Sequence, residues 1–185
     1  MAVLLFSCHQ RRSNVQKREN AVTLKGGGLT LLGPALKPGD IAPDFICATG
    51  MKDLTRLTDT PAKTRLFSVV PSLDTKVCSI QTKKFAEELA KLGDSIACYT
   101  VSMDLPFAQS RFCSAENVSG IKNLSDTHNH SFGKAYGVLI DGLAMPLLCR
   151  AVFVVDASGI IKHAEYVSEI ASEPDYASAL SALRS

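Results

Sequence analysis

Six cysteines, at positions 8, 47, 78, 98, 113 and 149, are the side chains of this 185-residue chain best suited to nucleophilic or redox work. A thiolate attacks electrophiles, ligates soft metals and forms disulfides, so spacing must decide among these uses. Successive gaps are 39, 31, 20, 15 and 36 residues, and no C-x-x-C or C-x-C pair occurs. That excludes the paired-ligand zinc patterns and a thioredoxin-type dithiol. The histidines at 9, 128, 130 and 163 supply no ligand pair at helical i, i+4 spacing. A dense disulfide framework belongs to short secreted chains, which this is not. For most of the six, the simplest role is that of a small buried apolar side chain.

Cys78 stands apart. The segment Pro71-Ser72-Leu73-Asp74-Thr75-Lys76-Val77-Cys78 joins an apolar run, Arg65–Val70, to a stretch with helical periodicity. Asp74 or Thr75 can cap that helix, which puts Cys78 in its first turn. Unpaired backbone N–H groups and the positive end of the helix dipole lie there, and both favour a thiolate. Lys76 adds a nearby positive charge.

The elements that hold this segment follow from periodicity. Ala21–Leu32 reads as two short strands turning at Gly26-Gly27-Gly28, an N-terminal hairpin. Arg65–Val70 is a strand stopped by Pro71. In the helix that follows, Val77, Ile80, Phe85, Leu89 and Leu92 share a face, and Gly93 ends it. Ser95–Ser102 and Ala151–Asp156 are further strands, with short helices over Leu105–Ala115 and Ser131–Tyr136, the latter closed by Gly137. Ala157-Ser158-Gly159 turns the chain into Ile160–Val167, and Ser172 is read as the cap of a last helix that buries Tyr176, Leu180 and Leu183. The order predicts an α/β fold: a central mixed β-sheet flanked by helices. No repeat or internal linker divides it. Residues 1–20 read as a disordered extension and 21–185 as the single domain.

Pro71, Thr75 and Cys78 together form P-x-x-x-T-x-x-C, and the chain resembles the peroxiredoxins, whose peroxidatic motif this is. Asp104-Leu105-Pro106-Phe107-Ala108-Gln109-Ser110-Arg111-Phe112-Cys113 is similar to the resolving-cysteine segment of one branch, the bacterial thiol peroxidases. The resemblance runs from about Asn20 to Leu183. It includes Ala42–Phe45 (A-P-D-F), Leu124–Asp126 (L-S-D), Arg150–Asp156 (R-A-V-F-V-V-D) and Glu173–Tyr176 (E-P-D-Y).

The resemblance implies a thioredoxin-like fold, a hydroperoxide substrate and an atypical two-cysteine cycle within one subunit. Cys78 is then the peroxidatic thiol and Cys113 the resolving thiol, joined in a reversible Cys78–Cys113 disulfide. Thr75 hydrogen-bonds peroxide and thiolate, Arg150 holds the thiolate charge, and Pro71 shields the pocket from water. Such roles suit the chemistry, because attack on an O–O bond needs an anionic sulfur, an in-line approach and donors where charge develops. The resemblance also implies recycling by thioredoxin or a similar dithiol, a homodimer, and no cofactor or metal. A redox-sensing module using the same disulfide as a conformational signal is the competing reading. An inactive scaffold fits the intact residue set poorly.

Three departures from the family pattern are visible: Lys76 replaces a usual Gly, Ser114 replaces a common Gly, and Thr127-His128-Asn129-His130 replaces a usual Phe-Arg. The histidines read as an exposed turn. Cys47, Cys98 and Cys149 read as core thiols, and Phe45, Phe107 and Phe112 as packing residues. Twenty Lys+Arg against 18 Asp+Glu give a net charge of +2, too balanced to indicate a nucleic-acid partner. Ala2–Phe6 is too short for a signal h-region and no basic residue precedes it, which argues against export, lipidation or a membrane span. A reducing, cytoplasmic setting follows as the expectation.

Overall fold

The computed structural model describes residues 15–184, so Cys8 and residues 1–14 of the expected extension lie outside the described residues. Ten strands and four helices follow one another. They are β1 (Lys17–Leu24), β2 (Gly27–Leu32), β3 (Ile46–Ala48), β4 (Leu54–Arg56), β5 (Thr64–Val69), α1 (Lys76–Ala90), β6 (Ile96–Ser102), α2 (Pro106–Ala115), β7 (Ile121–Ser125), α3 (Ser131–Ala135), β8 (Leu139–Ile140), β9 (Ala151–Val155), β10 (Ile161–Tyr166) and α4 (Tyr176–Ala182).

The main sheet has seven strands in the order β10-β9-β5-β6-β7-β3-β4. β5, β6 and β7 are parallel, linked through α1 and α2, while β9, β10, β3 and β4 join antiparallel. This is the mixed, helix-flanked sheet that the sequence predicts. Central strands covered on both faces must be apolar throughout, and β9 is buried at every position.

Alternation along the strands splits the core in two. On one face Phe67, Tyr99, Leu124 and Phe153 meet α3 and the N-terminal hairpin. Phe45, Phe67, Phe132 and Tyr136 interlock there with ring centroids 4.1–6.2 Å apart, and each fully buried ring contributes roughly 1.5–3 kcal/mol. On the other face Leu66, Cys98, Val152 and Val154 pack against Phe85 and Leu89 of α1, Ala179 of α4 and Leu183 directly after it. A third, small cluster of Val70, Leu73, Cys78 and Phe112 has Cys113 and Val118 at its margin.

The N-terminal hairpin turns at Lys25 and Gly26, both with positive φ, the pattern of a two-residue turn that matches strand twist. Its first strand begins at Lys17 and so takes in four residues that the sequence reading assigns to the extension. The hairpin forms a separate sheet with β8. It is also fastened to the segment after β10: Thr23 N donates to Ser168 O at 2.7 Å and Ile170 N to Thr23 O at 2.9 Å. Glu169 accepts from Thr23 Oγ1 and Gly26 N.

Several sequence expectations are corrected. α1 ends at Ala90 with Lys91 as its cap, two residues before Gly93, which instead opens a short 3-10 turn. α4 is capped by Asp175, whose carboxylate accepts from Ser178 N at 3.0 Å, and not by Ser172, which lies in a separate turn. Phe45 and Phe112 are buried as expected, but Phe107 is 59% exposed. It follows Pro106 at the start of α2, before that helix meets the sheet. Gly137 closes α3 as expected with φ +64°, and a Cβ there would sit 1.9 Å from Pro34 O.

Candidate active site

β5 ends at Val69, and Val70 to Asp74 carry the chain across to α1. Thr75 takes the cap position of that helix with extended backbone, and Cys78 is its third helical residue. A cap hydroxyl usually accepts from the backbone of the first turn. Here it turns away from the helix, within hydrogen-bond reach of Ser72 O at 3.1 Å and Cys78 Sγ at 2.8 Å, its one proton serving either acceptor. The hydroxyl is aimed at the sulfur.

Arg150 reaches the same sulfur from the strand side. It immediately precedes β9, and its side chain is 2% exposed. Its guanidinium makes three bonds: Nε to Ile170 O at 2.9 Å, Nη1 to Gln81 Oε1 at 2.6 Å and Nη2 to Cys78 Sγ at 3.4 Å. Gln81, one turn after Cys78, passes the chain on by donating to Ser68 Oγ of β5 at 2.8 Å. Among the described residues, no carboxylate lies within ion-pair distance of Arg150. Glu173, whose carboxyl is drawn below the usual range first by Lys84 and to a lesser extent by Arg150, is bonded to Lys84 at 2.6 Å. A buried, permanently charged group without an anionic partner is costly. Among the described residues, the Cys78 thiol is the ionisable group to which the Arg150 guanidinium hydrogen-bonds.

The turn before α1 is held from outside by Asp104, at the head of the α2 segment. Its carboxylate accepts from Ser72 Oγ at 2.7 Å and Leu73 N at 2.8 Å. Arg111 of α2 lies 4.0 Å from Asp74, and Lys83 of α1 pairs with Glu116 at the end of α2. Asp104 and these two ion pairs thus link the N-terminal half of α1 and the turn before it to α2. Cys113 is half-buried in the second half of α2 and accepts from Asn123 Nδ2 of β7 at 3.2 Å. It lines a cavity of about 440 Å³ with Gln109, Val118 and Asn123. Cys78 and Cys113 are separate thiols here, the first inside the third apolar cluster and the second packed against it.

Of the residues singled out in the sequence, Cys78, Thr75 and Arg150 therefore converge, and Cys113 packs against the small cluster that holds Cys78. Pro71 is half-buried directly after β5 and Val70, on the same turn. Lys76 is exposed at the start of α1. Sequence reasoning missed Gln81, Asp104 as a clamp, and Asn123. For Gln81 a signal existed: a polar residue at the helical position where the buried face of α1 continues from Cys78 to Phe85. Cys47, Cys98 and Cys149 are buried as expected. Burial drives all three thiols strongly toward the neutral form, Cys149 being pushed up to about 12. Among the described residues, no group of three or more His, Cys, Asp and Glu side chains could hold a metal ion. No helix among them is long and apolar enough to cross a membrane.

Comparison with known proteins accords with this geometry. The Redoxin family model matches residues 37–180. A thiol peroxidase of Bacillus subtilis is 48% identical over 155 residues, covering 84% of this chain and 91% of that protein. A thiol peroxidase of Halalkalibacterium halodurans is 49% identical over 165 residues, covering 89% and 97%. The crystal structure of a peroxiredoxin-like protein from Aquifex aeolicus superposes with a TM-score of 0.82 at 38% identity, covering 89% of this chain and 96% of that one. A thiol peroxidase from Chromobacterium violaceum, at 19% identity and a TM-score of 0.78 over 88% and 94% of the two chains, shares the fold. With a thioredoxin-like sheet, a redoxin domain and these relatives, the chain belongs to the thiol peroxidases, a peroxiredoxin-type family of enzymes.

Proposed function

We propose that this protein reduces hydrogen peroxide and alkyl hydroperoxides through Cys78 and is recycled through Cys113 by a thioredoxin-type dithiol. The observation that carries the reading is the buried Arg150 guanidinium, unpaired with any carboxylate among the described residues and aimed at Cys78 Sγ. It sets a permanently charged donor on the sulfur where negative charge must be carried during attack, and the Thr75 hydroxyl adds a second contact.

In the first step the Cys78 thiolate attacks one peroxide oxygen, the O–O bond breaks, and the departing oxygen takes a proton to leave as alcohol or water. Cys78 becomes a sulfenic acid. The Cys113 sulfur then bonds to Cys78 Sγ, the S–O bond breaks, and water leaves. A dithiol reductant attacks the resulting disulfide and regenerates both thiols by exchange. A disulfide needs Cα atoms within about 7 Å, so the turn at Cys78 and the end of α2 must open together. Pro71, directly before this turn, shields the pocket from water. The reading also takes the working unit to be a homodimer in the cytoplasm, as the family resemblance implies.

Peroxide consumption with thioredoxin and its reductase tests this. Cys78→Ser abolishes consumption. Cys113→Ser still reacts with one equivalent of peroxide but stalls in steady state. Full steady-state activity in Cys78→Ser sinks the assignment. Rapid oxidation with negligible turnover on thioredoxin would instead favour the sensing module.

A further inference from the structure

The face of the main sheet that carries α1 and α2 contains a polar row beside the paired Ser102 and Ser125. Ser68, Thr100 and Asn123 are in register across β5, β6 and β7. The row beside it, Leu66, Cys98 and Ile121, is apolar. Both ends of the polar row touch the chemistry: Ser68 through Gln81 and Arg150 to Cys78, and Asn123 directly to Cys113.

Asn123 makes one side-chain hydrogen bond among the described residues, from Nδ2 to Cys113 Sγ at 3.2 Å. Its Oδ1 is buried without a hydrogen-bond partner among the described residues. An orphaned buried carbonyl costs more stability than a bond to a neutral thiol sulfur returns, so a carboxamide kept for packing alone would satisfy its oxygen first. The bond repays that cost only when the sulfur carries negative charge, because a donor to an anion is far stronger than a donor to a neutral acceptor.

We propose that Asn123 is a positioning residue for the disulfide-forming half of the cycle, holding Cys113 Sγ and stabilising its charge as it loses its proton. This rests on the assignment of Cys78 and Cys113 above. Cys113 releases a proton, its sulfur electron pair forms the S–S bond to the Cys78 sulfenic acid, the S–O bond breaks, and the departing hydroxide takes up a proton and leaves as water. Cys113 is oxidised and the sulfenic sulfur is reduced. Asn123 lies on a sheet strand and Cys113 on a helix, so the bond acts in the folded, reduced form, before α2 opens.

The test is a rapid-quench experiment on the full chain. Reduced protein is mixed with one equivalent of hydrogen peroxide across a range of pH, and sulfenic acid and disulfide are followed by mass after chemical trapping. In Asn123→Ala the disulfide step slows roughly tenfold at neutral pH, as expected for loss of one charge-assisted bond, and its rate–pH profile moves to higher pH. Asn123→Asp has nearly the same shape but sets a carboxylate against the sulfur, so it moves the profile further in the same direction. Sulfinic acid at Cys78 then accumulates at roughly tenfold lower peroxide in Asn123→Ala, because slow resolution leaves the sulfenic acid exposed. Profiles that overlay the wild type in both variants overturn the proposal. So does an Asn123→Asp protein that behaves as wild type while Asn123→Ala is slow, since that pattern marks packing. A wild-type protein that forms no Cys78–Cys113 disulfide instead overturns the cycle itself, which separates the two failures.

Discussion

Cys78 and Cys149 are both fully buried, and both neighbour Arg150, one in space and one in sequence. Their surroundings are opposite. Successive residues of a strand point to opposite faces, so Arg150 turns toward α1 and Cys78 while Cys149 turns into the aromatic core. Cys149 meets apolar neighbours, and burial pushes its thiol up to about 12. Cys78 meets a hydroxyl and a guanidinium donor on its sulfur. Depth alone therefore does not silence a cysteine; the donors that desolvated sulfur finds at that depth decide its chemistry.

The contrast can be broken most forcefully at Arg150. Arg150→Met slows oxidation of Cys78 by peroxide by about 10²- to 10³-fold, the loss expected for one preorganised donor to a developing charge. Alkylation of Cys149 stays unchanged in the same protein. A wild-type oxidation rate in a folded Arg150→Met chain would remove the basis of the comparison. Thiol alkylation of the native protein at pH 8, mapped by mass, sharpens it next: Cys78 outpaces Cys149, Cys47 and Cys98 by roughly 100-fold, and the difference vanishes in denaturant. Thr75→Val removes one hydrogen bond to the sulfur, and peroxide oxidation slows by about tenfold.

The smallest effect concerns stability at high pH. Cys149 has its folded value raised from 9.0 to about 12, so the protonated thiol stabilises the fold in full below about pH 9. That contribution is lost as pH rises toward 12. Cys149→Ala costs about 1 kcal/mol at neutral pH, leaves turnover within twofold, and flattens the alkaline limb of a denaturation series. An unchanged alkaline limb would show that Cys149 does not resist ionisation in the fold.

The parallel core was legible because its signals are local. Apolar runs such as Leu66–Val70 and the 3.6-residue spacing on α1 report strand and helix without knowledge of partners. The first-turn position of Cys78 followed from the same boundary. β3, β4 and β8 were not legible, since strands of two or three residues exist only through their pairings. β7 was hidden by Lys122 and Asn123, polar residues that the strand carries in place of alternating apolar ones. Gln81 and Asp104 escaped for a related reason: a polar side chain in one dimension reads as solvated, and only the fold shows that its partner is a buried Arg150 or a Ser72 hydroxyl. Arg150 entered by resemblance alone, because 72 residues separate it from the sulfur it touches.

The N-terminal hairpin has a bearing on how far the enzyme extends. Thr23 clasps the segment Ser168–Ile170, and the Ile170 carbonyl is one of the three acceptors that aim Arg150. The Redoxin match begins at residue 37 and omits that hairpin. A protein shortened to the matched span would keep every reactive side chain and lose the clasp on the guanidinium's support. A chain shortened to residues 37–180 is therefore expected to oxidise at Cys78 more slowly than one that starts at β1, which peroxide kinetics on the two proteins would read.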